Sequence, residues 1–235
     1  MQTAPLQRTR TQPQIRVNAF IRSVYNWMAA GLAITGFLAY YVANSSLKNI
    51  VYGNQGLILI LIIAELALVF TLAARVQKLK ASTATAMFIV YAALNGITLS
   101  SIFLLYKVST IYSTFFICGG TFLACSIYGM TTKRDLTGLG GFMVMGLIGI
   151  IIASIVNMFV MSNAMGMIIS YIGVFVFVGL TAYDTQKLKH MAMTQPADVS
   201  DAVVRKGAIM GALALYLDFI NLFLFLLRIF GGGRD

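Results

Sequence analysis

The stretch Gly138–Met161 reads GLGGFMVMGLIGIIIASIVNMFVM and contains no charged residue and no histidine. An α-helix needs about 20 consecutive apolar residues to cross the hydrocarbon core of a bilayer. An uncharged run of this length is typical of a membrane-spanning helix and not of the core of a soluble domain. The stretch therefore predicts a transmembrane helix.

Six further stretches have similar length and composition, and short gaps separate most of them. They are Val24–Ala43, Gln55–Ala74, Ala84–Leu105, Ile111–Met130, Ala164–Tyr183 and Gly207–Leu227. Only 10% of the residues are charged and 59% are hydrophobic, whereas a soluble domain has roughly 25% charged residues. We predict an all-α polytopic protein: a cytoplasmic basic tail over 1–22, seven transmembrane helices over 23–230 with the seventh at the centre, and a short tail over 231–235.

The charge distribution predicts the orientation of these helices. The net charge is +10, but the basic residues occupy gaps between apolar runs, so we expect no nucleic-acid partner. Thirteen Lys and Arg residues lie in the N-terminal tail and the second, fourth and sixth gaps, against four on the opposite side. Because basic residues favour the cytoplasmic side, we expect a cytoplasmic N-terminus and an external C-terminus.

Ionisable residues inside apolar spans indicate where function lies, since a charge at mid-membrane costs roughly 2.5–3.5 kcal/mol on insertion scales. Asp218 lies within helix seven, roughly 18 Å from its cytoplasmic end at 1.5 Å per residue, and Asn221 shares its helix face. Asp184 lies at the cytoplasmic end of helix six. Each acid is read either as a proton- or cation-handling carboxylate or as a structural or solvated acid.

Two further polar positions are candidates for an ion path. Glu65 lies midway along helix two, and Asn95 lies in the third span among small hydroxyl residues. Both positions also suit packing between helices. Arg75 ends helix two on the cytoplasmic side, where a snorkelling anchor is the common role.

Enzyme motifs are absent, so we expect no catalytic residue, cofactor or resident metal. The single histidine, His190, lies at a loop edge, which excludes a histidine-based triad or zinc site within the chain. The remaining enzyme hypothesis is an intramembrane aspartyl protease. Tyr183–Asp184 matches the YD pattern of those enzymes, but the residues before Asp218 read LYLD instead of GxGD.

Several segments resemble the transmembrane Bax-inhibitor-motif family, specifically its bacterial inner-membrane branch. The most specific are GLTAYDTQKLK (Gly179–Lys189) and LYLDFINLFLFLLRIFG (Leu215–Gly231). Similar recurring segments are VYNWMAAGLAITGFLAYY (Val24–Tyr41), YAALNGITLSSIF (Tyr91–Phe103) and YGMTTKRDL (Tyr128–Leu136). The resemblance covers nearly all of the chain after residue 18.

The resemblance implies six helices around a central seventh and a pH-sensitive passive calcium leak in the bacterial inner membrane. It implies that Asp184 and Asp218 form a hydrogen-bonded pair that senses pH, with calcium binding transiently nearby. It also implies that Arg75 latches the pair in the closed state. The alternative function is a regulator that binds a membrane protease or stress-response factor through its basic tail or the Asp184–Lys206 loop.

The thirteen-to-four charge asymmetry predicts that the C-terminus is external. Fusing alkaline phosphatase to the C-terminus should give an active enzyme, and fusing a cytoplasm-dependent fluorescent protein should give a dark one. A silent phosphatase together with a bright fluorescent fusion would refute this orientation.

Overall fold

The structure is a computed structural model that describes residues 8–196 and 199–232, and for residues 8–15 it describes the backbone alone. Residues 1–7 of the predicted basic tail and residues 233–235 of the predicted short tail lie outside the described residues. The described part of the chain forms nine α-helices and one short 3-10 helix and contains no strand. This confirms the all-α fold class.

The helices differ widely in length, from 4 to 36 residues. In chain order they are α1 (Arg8–Ala43), α2 (Leu47–Gly53), α3 (Gln55–Arg75), α4 (Ala81–Leu99), α5 (Ile102–Leu105), α6 (Val108–Thr131), α7 (Thr137–Val160), α8 (Asn163–Thr194) and α9 (Asp201–Gly231), with the 3-10 turn Val76–Lys78 after α3.

Six helical stretches in the described residues are long and apolar enough to cross a membrane. They are Gln55–Lys78, Ala81–Leu105, Val108–Thr131, Thr137–Val160, Asn163–Thr194 and Asp201–Gly231. A seventh span results if α1 from Arg16 and the short α2 count together, although the chain bends by 91° between them. The polytopic membrane architecture is therefore confirmed, with six to seven spans.

The last helix is the most enclosed of these six. In its most apolar window 67% of the residues are buried, compared with 6% for the stretch that begins with α3. A helix surrounded by others buries most of its surface, whereas a helix facing lipid leaves its apolar side chains exposed. Helix α9 is therefore the most buried of the six, and α3 is the most exposed.

Two helices extend beyond the predicted spans. Residues 8–22, assigned from sequence to a polar tail, belong to α1. Helix α8 continues past Asp184 to Thr194 and α9 begins at Asp201, so the expected Asp184–Lys206 loop is shortened to residues 195–200. The residues after Asp184 are mostly Gln, Lys, Leu, Met and Ala, which favour helix even where they no longer favour lipid.

The chain divides into two compact units. The first consists of Met1–Ser101 and Leu188–Tyr216, and the second of Ile102–Lys187 and Leu217–Asp235. Helices α8 and α9 are therefore each divided between the units, with one segment in the first unit and the other in the second. All of the side-chain contacts described below lie within one unit or the other.

In the first unit, small residues let α1 and α4 approach closely. A Cβ atom added to Gly96 on α4 would lie 2.7 Å from the Thr35 carbonyl oxygen on α1. Close backbone approach at glycine is a common way for membrane helices to pack. The start of α9 is tied to the same unit, because the Lys206 ammonium group donates a 2.8 Å hydrogen bond to the Gln77 carbonyl oxygen.

In the second unit, α6 and α7 contact the same short segment of α8. Gly129 on α6 lies against the Ala182 carbonyl, and Gly140 on α7 lies against the Tyr183 ring. A larger residue at either glycine would collide with these groups. The two residues of α8 that immediately precede Asp184 are therefore closely packed.

Candidate functional site

The two predicted aspartates both lie in the second unit. Asp218 on α9 is buried, with 4% of its surface exposed, and Asp184 on α8 is half-buried. The two carboxyl groups are close enough to interact electrostatically. Asp184 also interacts with the Lys187 ammonium group, and that group lies 5.9 Å from the centre of the Tyr183 ring.

The position of Asp184 after the last apolar run suggested that it lies at a helix end. In the structure it does not. Because α8 continues to Thr194, Asp184 is an interior residue of a long helix. An interior position fixes the direction of its side chain, since the helical hydrogen bonds hold the backbone on both sides. The extension of α8 is therefore what makes Asp184 suitable for a defined pair.

Asp218 has an unusual environment for a carboxyl group. Its Oδ2 atom is buried and has no hydrogen-bond partner among the described residues. Buried polar atoms are nearly always hydrogen-bonded, and an exception needs a specific explanation. Asn221, one turn further along, donates a 2.8 Å bond to the Leu217 carbonyl oxygen of its own helix and makes no hydrogen bond to Asp218 Oδ2.

Glu65 belongs to a separate cluster in the first unit. It is half-buried, and its Oε1 atom accepts a 2.8 Å hydrogen bond from the Thr98 hydroxyl on α4. On the same helix Asn95 donates to the Tyr91 hydroxyl over 3.3 Å, and Tyr91 interacts electrostatically with Glu65. The Oδ1 atom of Asn95 is buried without a partner among the described residues.

A third polar chain in the same unit joins α1, α4 and α9. The Thr35 hydroxyl donates 2.8 Å to the Ala92 carbonyl oxygen and lies 2.7 Å from the Tyr216 hydroxyl. A threonine hydroxyl has one proton, so Tyr216 is the donor in the second bond. Tyr216 also interacts electrostatically with Glu65, and its ring packs edge-on against Tyr91.

Sequence reasoning did not single out Thr35, Tyr91 or Tyr216 individually. Their hydroxyl groups are buried in a membrane helix bundle, where each needs a partner. A tyrosine inside an apolar span, away from either interface, is the signal that points to such a group. Tyr216, two residues before Asp218, is the clearest example.

Arg75 is the last residue of α3 and its side chain is exposed. It belongs to the first unit and the aspartates belong to the second. The latch that the family resemblance implies therefore stays a prediction.

Metal-ligating side chains do not cluster in the described part of the chain. It contains no group of three or more His, Cys, Asp or Glu side chains placed to hold a metal ion. The acidic groups in the interior of the apolar helices are the Asp184–Asp218 pair and the single carboxylate of Glu65. A site with one or two carboxyl groups suits brief contact with a passing ion better than storage of one, because tight calcium sites use six to eight oxygen ligands.

The chain, which carries these carboxyl groups on long apolar helices, is clearly similar to known proteins. Residues 17–235 match the family model described as inhibitor of apoptosis-promoting Bax1. The chain belongs to this Bax inhibitor family. The inner membrane protein YbhL of Escherichia coli is 52% identical over 225 residues, which cover 95% of each chain.

Other members of the Bax inhibitor family are also similar along almost their whole length. An uncharacterised protein of Borreliella burgdorferi is 43% identical and is matched over 94% of its length. An uncharacterised membrane protein of Streptococcus pyogenes is 38% identical and is matched over 96% of its length. The resemblance read from the sequence motifs is confirmed.

The direction of the Tyr216–Thr35–Ala92 chain predicts unequal effects of its two side chains on stability. Thr35→Val leaves the buried Tyr216 hydroxyl without an acceptor, which costs about 1–3 kcal/mol. Tyr216→Phe leaves Thr35 still bonded to Ala92 and should cost about 1 kcal/mol or less. Denaturant unfolding in detergent micelles measures both.

Thr121→Val is the matched control, because the Thr121 hydroxyl is exposed and bonds only within its own helix. We expect this variant to unfold like the wild-type protein. A larger loss of stability for Tyr216→Phe than for Thr35→Val would contradict the assigned donor direction.

Proposed function

We propose that this chain is a pH-sensitive passive cation channel of the bacterial inner membrane, with calcium as its ion, and not an enzyme. The observation that supports the proposal most directly is the buried Asp218 carboxyl, which lies within electrostatic reach of Asp184 on an apolar helix. Ionisable residues inside membrane spans are expensive and usually mark ion or proton pathways. The inner-membrane location is supported by the E. coli relative, which is named an inner membrane protein.

The proposed sensor depends on a proton shared between the two carboxyl groups. Two close carboxyls in a poorly solvated site resist simultaneous ionisation, because the two negative charges repel each other and the buried Asp218 is shielded from water. At low pH the pair is neutral. At higher pH it loses the shared proton and carries extra negative charge, and the family resemblance assigns that charged state to the closed channel.

Oxygen-bearing side chains supply the proposed ion path. Calcium binds carboxylate, amide and carbonyl oxygens. Glu65 and Asn95 offer such oxygens in the first unit, and Asn221 adds an amide oxygen in the second, one turn from Asp218. The buried Asn95 Oδ1 atom, which has no partner in the described part of the chain, is suited to contact a passing cation.

The paired sensor predicts that calcium entry into proteoliposomes rises as the pH is lowered from about 8 to about 6. Asp184→Asn and Asp218→Asn should each reduce this pH response to within about twofold across the range, and the double variant should add little, because coupled sites are not additive. Retention of the wild-type pH profile by both single variants would exclude the pair as the sensor.

Asp201→Asn is the matched control for this series. It makes the same chemical change on the same helix, at an exposed residue in the first turn of α9. We expect the wild-type pH response. Absence of flux in every protein at every pH would instead favour the alternative, a regulatory membrane protein that acts through a partner.

The position of Glu65 predicts that its charge contributes to conduction. Glu65→Gln keeps an oxygen that can accept the Thr98 hydrogen bond but removes the negative charge, and should lower calcium flux about tenfold, equivalent to about 1.4 kcal/mol. Thr98→Val removes the hydrogen bond and keeps the charge, so its effect should be smaller. Unchanged flux in Glu65→Gln at equal protein density would remove Glu65 from the path.

A further inference from the structure

Gln186 is a buried amide that makes two hydrogen bonds outside its own helix. Its side chain is 5% exposed. Its Oε1 atom accepts a 2.8 Å bond from the Leu136 backbone N–H, and its Nε2 atom donates a 2.8 Å bond to the Arg134 carbonyl oxygen. One side chain of α8 therefore satisfies a donor and an acceptor of the loop between α6 and α7.

This loop lacks regular secondary structure, so its backbone groups depend on such partners. Residues 132–136 lie between the end of α6 at Thr131 and the start of α7 at Thr137. Leu136 is buried, with 5% of its surface exposed. Leaving a buried backbone group without its partner costs about 1–3 kcal/mol. The loop is consequently held against α8 by the two ends of the Gln186 amide.

The neighbouring residues of α8 are held from the same two helices. The Ala182 carbonyl lies against Gly129, the Tyr183 ring lies against Gly140, and the Thr185 hydroxyl lies 3.5 Å from the Ser126 hydroxyl. Together with Gln186, these α8 residues are the two residues before Asp184 and the two residues after it. Rotation or sliding of this part of α8 would break all four contacts, so they fix its orientation.

Asp184 projects from a different side of the helix than Gln186 does. Successive residues of an α-helix are about 100° apart, so side chains two positions apart point about 200° from each other. While Gln186 bonds to the α6–α7 loop, Asp184 interacts with Asp218 of α9. Any turn of α8 that moves the amide away from the loop also moves the Asp184 carboxyl relative to Asp218.

We propose that Gln186 is a positioning residue for the Asp184–Asp218 pair and couples the α6–α7 loop to it. This inference rests on the proposed pH-sensing function. Gln186 itself does not titrate, and it acts by keeping the two carboxyl groups close enough to share a proton. Other charged groups of the second unit near this segment are Lys187 on α8 and Lys133, Arg134 and Asp135 on the loop.

Gln186→Met tests the coupling because it keeps the side-chain length and removes both hydrogen bonds. If the pair loosens, it no longer favours a shared proton, and it ionises at lower pH. The pH midpoint of calcium flux should then move down by about half a pH unit or more, a threefold or larger change in proton affinity. The pH midpoint at which the carboxylic acid C=O band is lost in an infrared titration should move by the same amount, whether or not flux occurs.

Gln195→Met is the control, since it makes the same substitution just beyond the end of α8 at a half-buried residue of the first unit. It should leave both midpoints unchanged. A folded Gln186→Met protein whose infrared and flux midpoints equal those of the wild type would overturn the inference. So would an equal shift in Gln195→Met.

A second measurement uses the wild-type protein and does not depend on whether Gln186→Met folds. Coupling is reciprocal. If loosening the loop weakens proton binding by the carboxyl pair, then loss of the shared proton must destabilise the contact between the loop and α8 by the same free energy. Hydrogen exchange at the Leu136 N–H should become at least about threefold less protected across the titration, after correction for intrinsic exchange. Asp218→Asn should abolish this extra pH dependence.

The two proposals fail in different ways. If flux is absent but the infrared midpoint shifts and Leu136 exchange follows pH, the channel function is wrong and the coupling stands. If flux is pH-sensitive but Leu136 protection is independent of pH in the wild type, the coupling is wrong and the channel function stands.

Discussion

The hydrocarbon interior of a bilayer provides no hydrogen bonds, so every polar group that enters it must find a partner within the protein. Most polar side chains on the apolar helices of this protein meet the requirement locally. Thr181, Ser170 and Thr121 each donate to a carbonyl oxygen of their own helix. Such residues add no constraint beyond the helix that they belong to.

A smaller group meets the requirement only through contacts between helices. The Tyr216 hydroxyl uses Thr35, the Glu65 carboxylate uses Thr98, and the α6–α7 loop uses Gln186. These bonds need helices at a fixed distance and rotation, which close glycine contacts such as Gly96 against Thr35 provide. In each unit, the hydrogen bonds of the buried polar groups therefore depend on close helix packing, and the packing depends on those hydrogen bonds.

A few buried atoms have no partner at all in the described part of the chain. They are Asp218 Oδ2, Asn95 Oδ1, Thr114 Oγ1 and the Tyr25 hydroxyl. Two of these four belong to residues that the sequence already identified as ion-handling candidates. An acceptor kept inside a membrane without a donor is suited to bind a proton or a cation, which is the chemistry that the proposed channel requires.

Local properties of the sequence determined the fold class and the identity of the main polar residues. The length of an apolar run predicts a membrane helix because the bilayer thickness is constant, and an acid within such a run is conspicuous because it is costly. Gly138–Met161 and Asp218 could therefore be recognised without a structure. The length of the apolar run does not give the end of α8, because that run ends near Tyr183 while the helix continues through helix-favouring residues to Thr194.

Only the tertiary structure decided which polar groups meet. Gln186 and Leu136, or Glu65 and Thr98, are far apart in sequence, and no local pattern specifies their contact. Helix periodicity gives the face on which a side chain lies, but the rotation and depth of one helix against another depend on the packing of all the side chains between them. For that reason the partners of Glu65 and the two bonds of Gln186 emerged only from the structure.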